Sequence, residues 1–405
     1  MKKNVLFSII LAILVLNVNL LKAQDVINLS TTDNIGDILG SYAGNNVVLI
    51  VPSGYANPAT GGTITLPSTL VSGIKITIKG DGSMPTLALK GFSLPNGINM
   101  SLFKFEGLTL TGFTTDPTAN YVINVSSGIA VNMDSVVFRN CKASTFRSLV
   151  RFQSTSATPD QKANAILIDN CIVSNFADYG VVYNNKSGGL FGSVEAKKST
   201  FYGMAQNVFM CQTNTSSVNI SDCTFDNVVG ASAKAIVDLS TQATPVTFTN
   251  CILGKSILAS GGLTIKTGGT LTITNSYYTT DWTANAPTAT GGITGALTAY
   301  ANASTSLFKT PTVISGSGST QTCTTGDYTI IDASFAGKTT AGDPRWYPSG
   351  TGVKNTIYSK PIKSIALFDF LGRQMKEEAK GLLIKKITYT DGTTSSEKVF
   401  IREKE

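Results

Sequence analysis

Ile166-Leu167-Ile168-Asp169-Asn170-Cys171-Ile172-Val173 alternates apolar and polar residues, meets a turn former at Asn170, and resumes with apolar residues. The same pattern recurs with its anchor, the position of Cys171, at Asp81, Leu108, Val136, Ser199, Cys223, Cys251 and Ser276. Five residues before the anchors stand Ile76, Phe103, Val131, Ile166, Val194, Val218, Val246 and Leu271. Three before them stand Ile78, Phe105, Met133, Ile168, Ala196, Ile220, Phe248 and Ile273. Both columns are apolar and the column between them is mostly polar, which is the period of a strand with one buried face. One residue before each anchor, Gly, Asn and Asp dominate, with Asn170, Asn250 and Asn275 as examples. Such residues tolerate a left-handed backbone, so each copy reads as strand, sharp corner, strand. The asparagines suit a ladder of side-chain amides that holds the corners.

Repeats of this length imply stacked coils. The anchors are 24 to 35 residues apart. A helical solenoid holds a tighter period, whereas stacked strands let one turn bulge while the others stay in register. The expectation is an all-β chain, a right-handed parallel β-helix of about eight coils and roughly 40 Å long at the usual strand spacing. Leu149 to Phe152, Val181 to Asn184, Val208 to Cys211 and Ile236 to Leu239 lie at similar offsets and predict a second stacked sheet. Asn34 to Tyr42 predicts a short helix capping the first coil, with early strands at Val47 to Val51 and Thr63 to Leu66.

Lys2-Lys3, an apolar run from Val5 to Leu21 and a small residue at Ala23 have the layout of a secretory signal peptide over residues 1–23. Asn17 and Asn19 interrupt the run, which favours a cleaved signal over a membrane anchor, and no stable membrane span is expected in the mature chain. The net charge of +7 resides at the two ends: three lysines in 1–23 and a basic excess of four in 353–405 leave the body neutral. A neutral body argues against a nucleic-acid partner. Three of the six cysteines, Cys171, Cys223 and Cys251, occupy the anchor column and read as buried free thiols, with Cys223 and Cys251 near enough for a bridge to be considered. No Cys-x-x-Cys pair is present to suggest zinc.

The column pattern over roughly residues 30–282 resembles the pectate-lyase-like β-helix superfamily, which implies fold more than activity. Ser306-Leu307-Phe308, Gly326-Asp327-Tyr328 and Ala341-Gly342-Asp343-Pro344-Arg345-Trp346 resemble the ending of uncharacterised β-helix proteins secreted by Bacteroidetes. Residues 283–346 are thus expected to close the rod, with Trp346 plugging its last coil. Ile365-Ala366-Leu367-Phe368-Asp369, Leu371-Gly372-Arg373, Gly381-Leu382-Leu383-Ile384, Thr390-Asp391-Gly392 and Lys398-Val399 resemble the type A sorting domain of the type IX secretion system. Leu382-Leu383 departs from the aromatic residue usual there. This resemblance implies a small β-sandwich over 355–405 after a linker at 347–354. It also implies export through the Sec and type IX machineries to the cell surface or the medium.

The chain has no histidine, which excludes Ser-His-Asp and Cys-His mechanisms and histidine-ligated metals. A uronate lyase needs only a cation, a carboxylate neutraliser and a base. In the superfamily the resemblance points to, Asp residues hold Ca²⁺ and Arg or Lys takes the proton. The exposed column two before the anchor offers Lys79, Glu106, Asp134, Asp169 and Lys197. Glu106, Asp134 and Asp169 stacked on successive coils would repel one another unless Ca²⁺ or a lysine joined them. A surface ladder neutralised by Lys79 and Lys197 is the simpler reading. A second outward column, Arg151, Tyr183, Met210 and Asp238, offers an Arg base and a sugar-stacking ring, or a plain solvated face. Three functions follow: a non-catalytic surface β-helix that binds polysaccharide or neighbouring cells, a polysaccharide lyase using Lys197 or Arg151, and a structural rod. The first is favoured, because no cluster of Arg, Lys and Asp stands out.

Overall fold

The structure is a computed structural model and describes residues 24–230, 233–257, 262–317, 320–348, 362–369, 372–375, 381–389 and 394–401. The signal-peptide reading of 1–23 and most of the 347–354 linker lie outside the described residues.

The body is a parallel β-helix whose coils each contribute one strand to three sheets. A representative coil runs Gln161–Asp169 in the first sheet, Ile172–Phe176 in the second and Val182–Asn184 in the third. Each of these pairs in parallel with the coils before and after it. Eight such coils stack between Ile74 and Ala289, matching the eight copies in the sequence. Three earlier strands, two in the first sheet and Thr63–Thr65 in the third, precede these coils, and a final pair extends the first and second sheets at the other end. The sheet predicted from Leu149 to Phe152 and its equivalents is the third sheet.

The two apolar columns face one dry core. One row runs Ile78, Phe105, Phe138, Ile168, Ala196, Ile220, Phe248 and Ile273 across adjacent strands, and all are buried. Aromatic rings continue it: Phe105 stacks on Phe138 at 5.1 Å and Phe201 on Phe225 at 5.1 Å.

Phe138 corrects the third copy. Val136 pairs with Phe103 and Ile166, so it belongs five before the anchor, and the anchor of that coil is Cys141. Strand Val131–Arg139 carries two buried apolar pairs, Val131/Met133 and Val136/Phe138, with a change of phase at Asp134 and Ser135. Either pair satisfies the sequence pattern; only pairing with both neighbours decides between them. The corner agrees with the corrected register. Gly107, Asn140, Asn170, Lys198, Asp222, Asn250 and Asn275 all have φ between +44° and +63°. The amide ladder expected there is present, Asn170 donating to Asn140 at 2.8 Å, Asn250 to Asp222 at 2.9 Å and Asn275 to Asn250 at 2.9 Å.

In the last six coils the anchor slot holds a small side chain with one donor. Cys141, Cys171, Cys223 and Cys251 each point a thiol at the carbonyl two residues back, at 3.1–3.4 Å. Ser199 and Ser276 do the same with a hydroxyl at 2.8 and 2.9 Å. The thiols are free, Cys223 and Cys251 included, and burial pushes those two well above the ordinary range, away from thiolate chemistry.

The first coil is capped by the helix Ile35–Gly40, whose N-cap Asn34 accepts from the Gly36 amide and whose Ile35 and Leu39 enter the core. The other end differs from expectation. Residues after Tyr300 do not plug the last coil. They turn back along the outside of the second sheet and form their own core of Leu307, Phe308, Tyr328 and Ile330 against Tyr202 and Ile252. Trp346 lies on this flank, its indole N–H donating to Thr200 at 2.7 Å and its ring packing edge-on against Tyr328. The physical reason is polar: Asp343 accepts from Thr200, and the Gly342 amide donates to the Asn250 carbonyl. Arg345 donates to Asn170 at 2.6 Å. The corner ladder, not the end of the rod, supplies the partners this segment needs.

Ile362–Phe368, Gln374–Met375, Gly381–Tyr389 and Thr394–Ile401 form one antiparallel sheet, which meets Asp25–Asn28 at a single parallel pair, Asp25 with Phe400. The second layer of the expected sandwich is not among the described residues.

Candidate functional site

The first-sheet charge column does not bring three carboxylates together. The row runs Lys79, Glu106, Arg139, Asp169, Lys197, so its sign alternates. Arg139 occupies the place expected for Asp134 and binds Asp169 at 3.1 Å. Asp134 sits at the phase change of its strand, exposed, accepting from Asn164 at 3.3 Å. Lys197 pairs with Glu195 at 2.8 Å and Glu106 with Lys104. Burial raises the Glu106 carboxyl, yet Lys104, Lys79 and Arg139 hold it below its ordinary range overall. The arrangement is a ladder of alternating sign in which Arg139 separates Glu106 from Asp169. Among the described residues, no group of three or more Asp, Glu, Cys or His is placed to hold a metal.

The third-sheet column falls in one row, Asn124, Arg151, Tyr183, Met210, Asp238 and Lys266, but it is not the solvated face expected, because Tyr183, Met210 and Asp238 are buried. Asp238 is two strands beyond Tyr183, roughly 14 Å from Arg151 by strand spacing. It is occupied by Gln212 at 2.7 Å and the Ser240 amide at 3.0 Å. Asp238 and Arg151 therefore do not form one site.

A different group gathers around Arg151. Its guanidinium lies 5.1 Å from the ring centre of Tyr121, 4.7 Å from Tyr179 and 5.9 Å from Tyr183. Arg151 donates to the Tyr121 hydroxyl at 2.8 Å, and Arg147 donates to the same oxygen at 3.0 Å. Arg147 is paired with Asp178 at 2.8 Å and stacks on Tyr179 at 3.9 Å. Tyr179 and Tyr183 stack at 4.0 Å. Gly180 makes this possible: with φ +99°, it carries the chain so close to the next coil that a Cβ would lie 2.3 Å from the Asn207 carbonyl.

The electrostatics are unbalanced. Two guanidinium groups face one carboxylate, and Arg151 has no ion-pair partner among the described residues, with its Nε buried and unbonded. Burial first, then Tyr179, pushes the Tyr183 phenol up to about 12, and burial also raises Tyr121 against the pull of both arginines. Tyr121 and Tyr183 stay neutral and are buried, and Tyr179, half-buried and stacked on Tyr183, is the ring nearest the surface beside the unpaired Arg151. In general, an arginine beside tyrosine rings is a combination able to stack on a planar or pyranose face and to donate to an anionic or hydroxyl oxygen. Tyr121, Arg147, Asp178 and Tyr179 escaped the sequence reading because all four lie at or beyond strand ends, outside the repeat columns. The visible signal is Arg147 just before, and Arg151 within, a strand whose neighbours carry Tyr121 and Tyr183.

No protein-family model, curated protein or solved structure matches the chain. Among the described residues no helix is long and apolar enough to cross a membrane.

Proposed function

We propose that this chain is a non-catalytic carbohydrate-binding β-helix, exported to the cell surface, whose contact is the Arg151 and tyrosine cluster on the third sheet. The observation that carries the reading is an arginine enclosed by three tyrosine rings with no acid paired to it among the described residues. Binding is favoured over a uronate lyase because the residues such a lyase would use are dispersed: Lys197 and Asp169 lie on the first sheet, Arg151 on the third, and Asp134 off the row. Export through the Sec and type IX machineries rests on the layout of residues 1–23 and on the C-terminal motifs. The resemblance to secreted pectate-lyase-like proteins of Bacteroidetes belongs to the same proposal.

Screening the chain on an oligosaccharide array, followed by calorimetry with the best ligand, tests the binding. Arg151→Ala is expected to weaken affinity roughly tenfold or more, about 1.4 kcal/mol, with Arg151→Lys between it and the parent. Equal affinity in Arg151→Ala, or silence across the array, defeats the proposal. Accumulation of an ultraviolet-absorbing unsaturated product from pectin, alginate or polygalacturonate with Ca²⁺ would replace it with the lyase. For export, deletion of residues 353–405 is expected to leave the body in the periplasm; normal surface display of that truncation refutes the address.

A further inference from the structure

We propose that the chain pairs tail to tail, with the open end of the last coil as the contact and a second copy of the same chain as the partner. Because the segment after Tyr300 runs back along the flank, none of the described residues closes the last coil. A cavity of about 410 Å³ remains there, lined by Ile273, Tyr278, Trp282, Ile293 and Leu297 among others. The Trp282 N–H is satisfied by Thr264 at 3.1 Å, so the ring offers carbon to the cavity. Ile293 is 45% exposed at its rim.

The edges are open too. Thr288–Ala289, Ile293–Thr294 and Thr298–Ala299 are each the last strand of their sheet, and no described strand pairs with their far sides. Unpaired edges are ordinarily protected by charge. Here no Asp, Glu, Lys or Arg occurs from Trp282 to Phe308. A face that docks on its own image brings each charge near its duplicate, so an uncharged face is the kind that suits a two-fold contact.

The opposite end selects the mode of assembly. The helix Ile35–Gly40 covers the core there, and Asp25–Asn28 already has Thr394–Ile401 beside it. Head-to-tail stacking into filaments is therefore blocked, and tail-to-tail docking closes after two copies. A small apolar ligand would fill the cavity and leave three backbone edges unpaired. A second copy buries Ile293 and Leu297 and supplies strand edges to the same face.

Sedimentation of the purified full chain across the micromolar range tests this. A dimer is expected, and Ile293→Lys, a change at a rim position that the single chain leaves exposed, is expected to weaken self-association roughly tenfold or more. Thr294→Cys treated with a short bismaleimide is expected to give covalent dimers, while Thr65→Cys, at the capped end, gives none. A monomer at every concentration overturns the proposal. So does a dimer that ignores Ile293→Lys and fails to cross-link at Thr294, since the copies then meet elsewhere. Saturable uptake of a fluorescent apolar probe by a monomeric chain would give the cavity to a small ligand instead, and overturns it equally.

Discussion

Arg345→Met is expected to lower the unfolding free energy by about 3–5 kcal/mol near neutral pH. Asp343 is buried and faces the Arg345 side chain, itself only 8% exposed, at 3.2 Å. Removing the arginine leaves a carboxylate in the interior, with Asp222 close by and adding repulsion. The arginine also gives up its bond to Asn170. Acidity provides a signature. Burial outweighs Arg345 and raises the Asp343 carboxyl to about 6, above its unfolded value. A group shifted upward favours the folded state most at low pH and loses that contribution as pH climbs through its folded pKa. Asp226, buried beneath Tyr328 and also raised to about 6, acts in the same direction. The parent is thus expected to gain stability between pH 8 and pH 5. The deficit of Arg345→Met should shrink over the same window, because a protonated Asp343 no longer needs its partner. Denaturant unfolding at pH 5 and pH 8 checks both. A deficit equal at the two values, or Asp343→Asn combined with Arg345→Met no more stable than the single variant, contradicts the account.

Phe105→Ala is expected to cost about 3–5 kcal/mol, the range for a large aromatic removed from a packed core. Phe105 is fully buried and meets Phe92 at 5.4 Å, Phe103 at 4.8 Å and Phe138 at 5.1 Å. Those rings are fixed by their own strands, so collapse into the space is limited, and the stacked geometry with Phe138 is lost as well. Ile331→Ala, at a side chain 53% exposed, should stay within about 0.5 kcal/mol. Thermal or urea unfolding of the two variants side by side is the check. Similar small losses would mean that the Phe rows do not carry the rod.

The coils were readable because a buried strand face leaves a two-residue period and each left-handed corner leaves Asn, Asp or Gly. The same logic explains the slip at the third copy. Val131/Met133 and Val136/Phe138 are chemically equivalent pairs, and a strand that changes phase at Asp134 buries both. That slip carried Asp134 into a carboxylate column that Arg139 interrupts. The flank-docked segment was unreadable for another reason. Its partners, Thr200, Asn170 and the Asn250 carbonyl, lie more than 90 residues away along the chain, and nothing local in Asp343-Pro344-Arg345-Trp346 distinguishes a plug from a side brace. At the candidate site the repeat placed Arg151 and Tyr183 in one row, but Tyr179 and Arg147 reach them from turns, whose course follows from packing.

In a stack whose layers touch only their immediate neighbours, melting ordinarily begins at a free end and proceeds layer by layer. The brace alters that here. It is fastened to the coils anchored at Cys171, Ser199, Cys223, Cys251 and Ser276 through Arg345, Asp343, Gly342 and Thr340. The uncapped terminal layers cannot unravel one at a time without prying this splint from all five, so the tail half behaves as one cooperative block. Protease cutting should accordingly start in the unbraced first half or not at all.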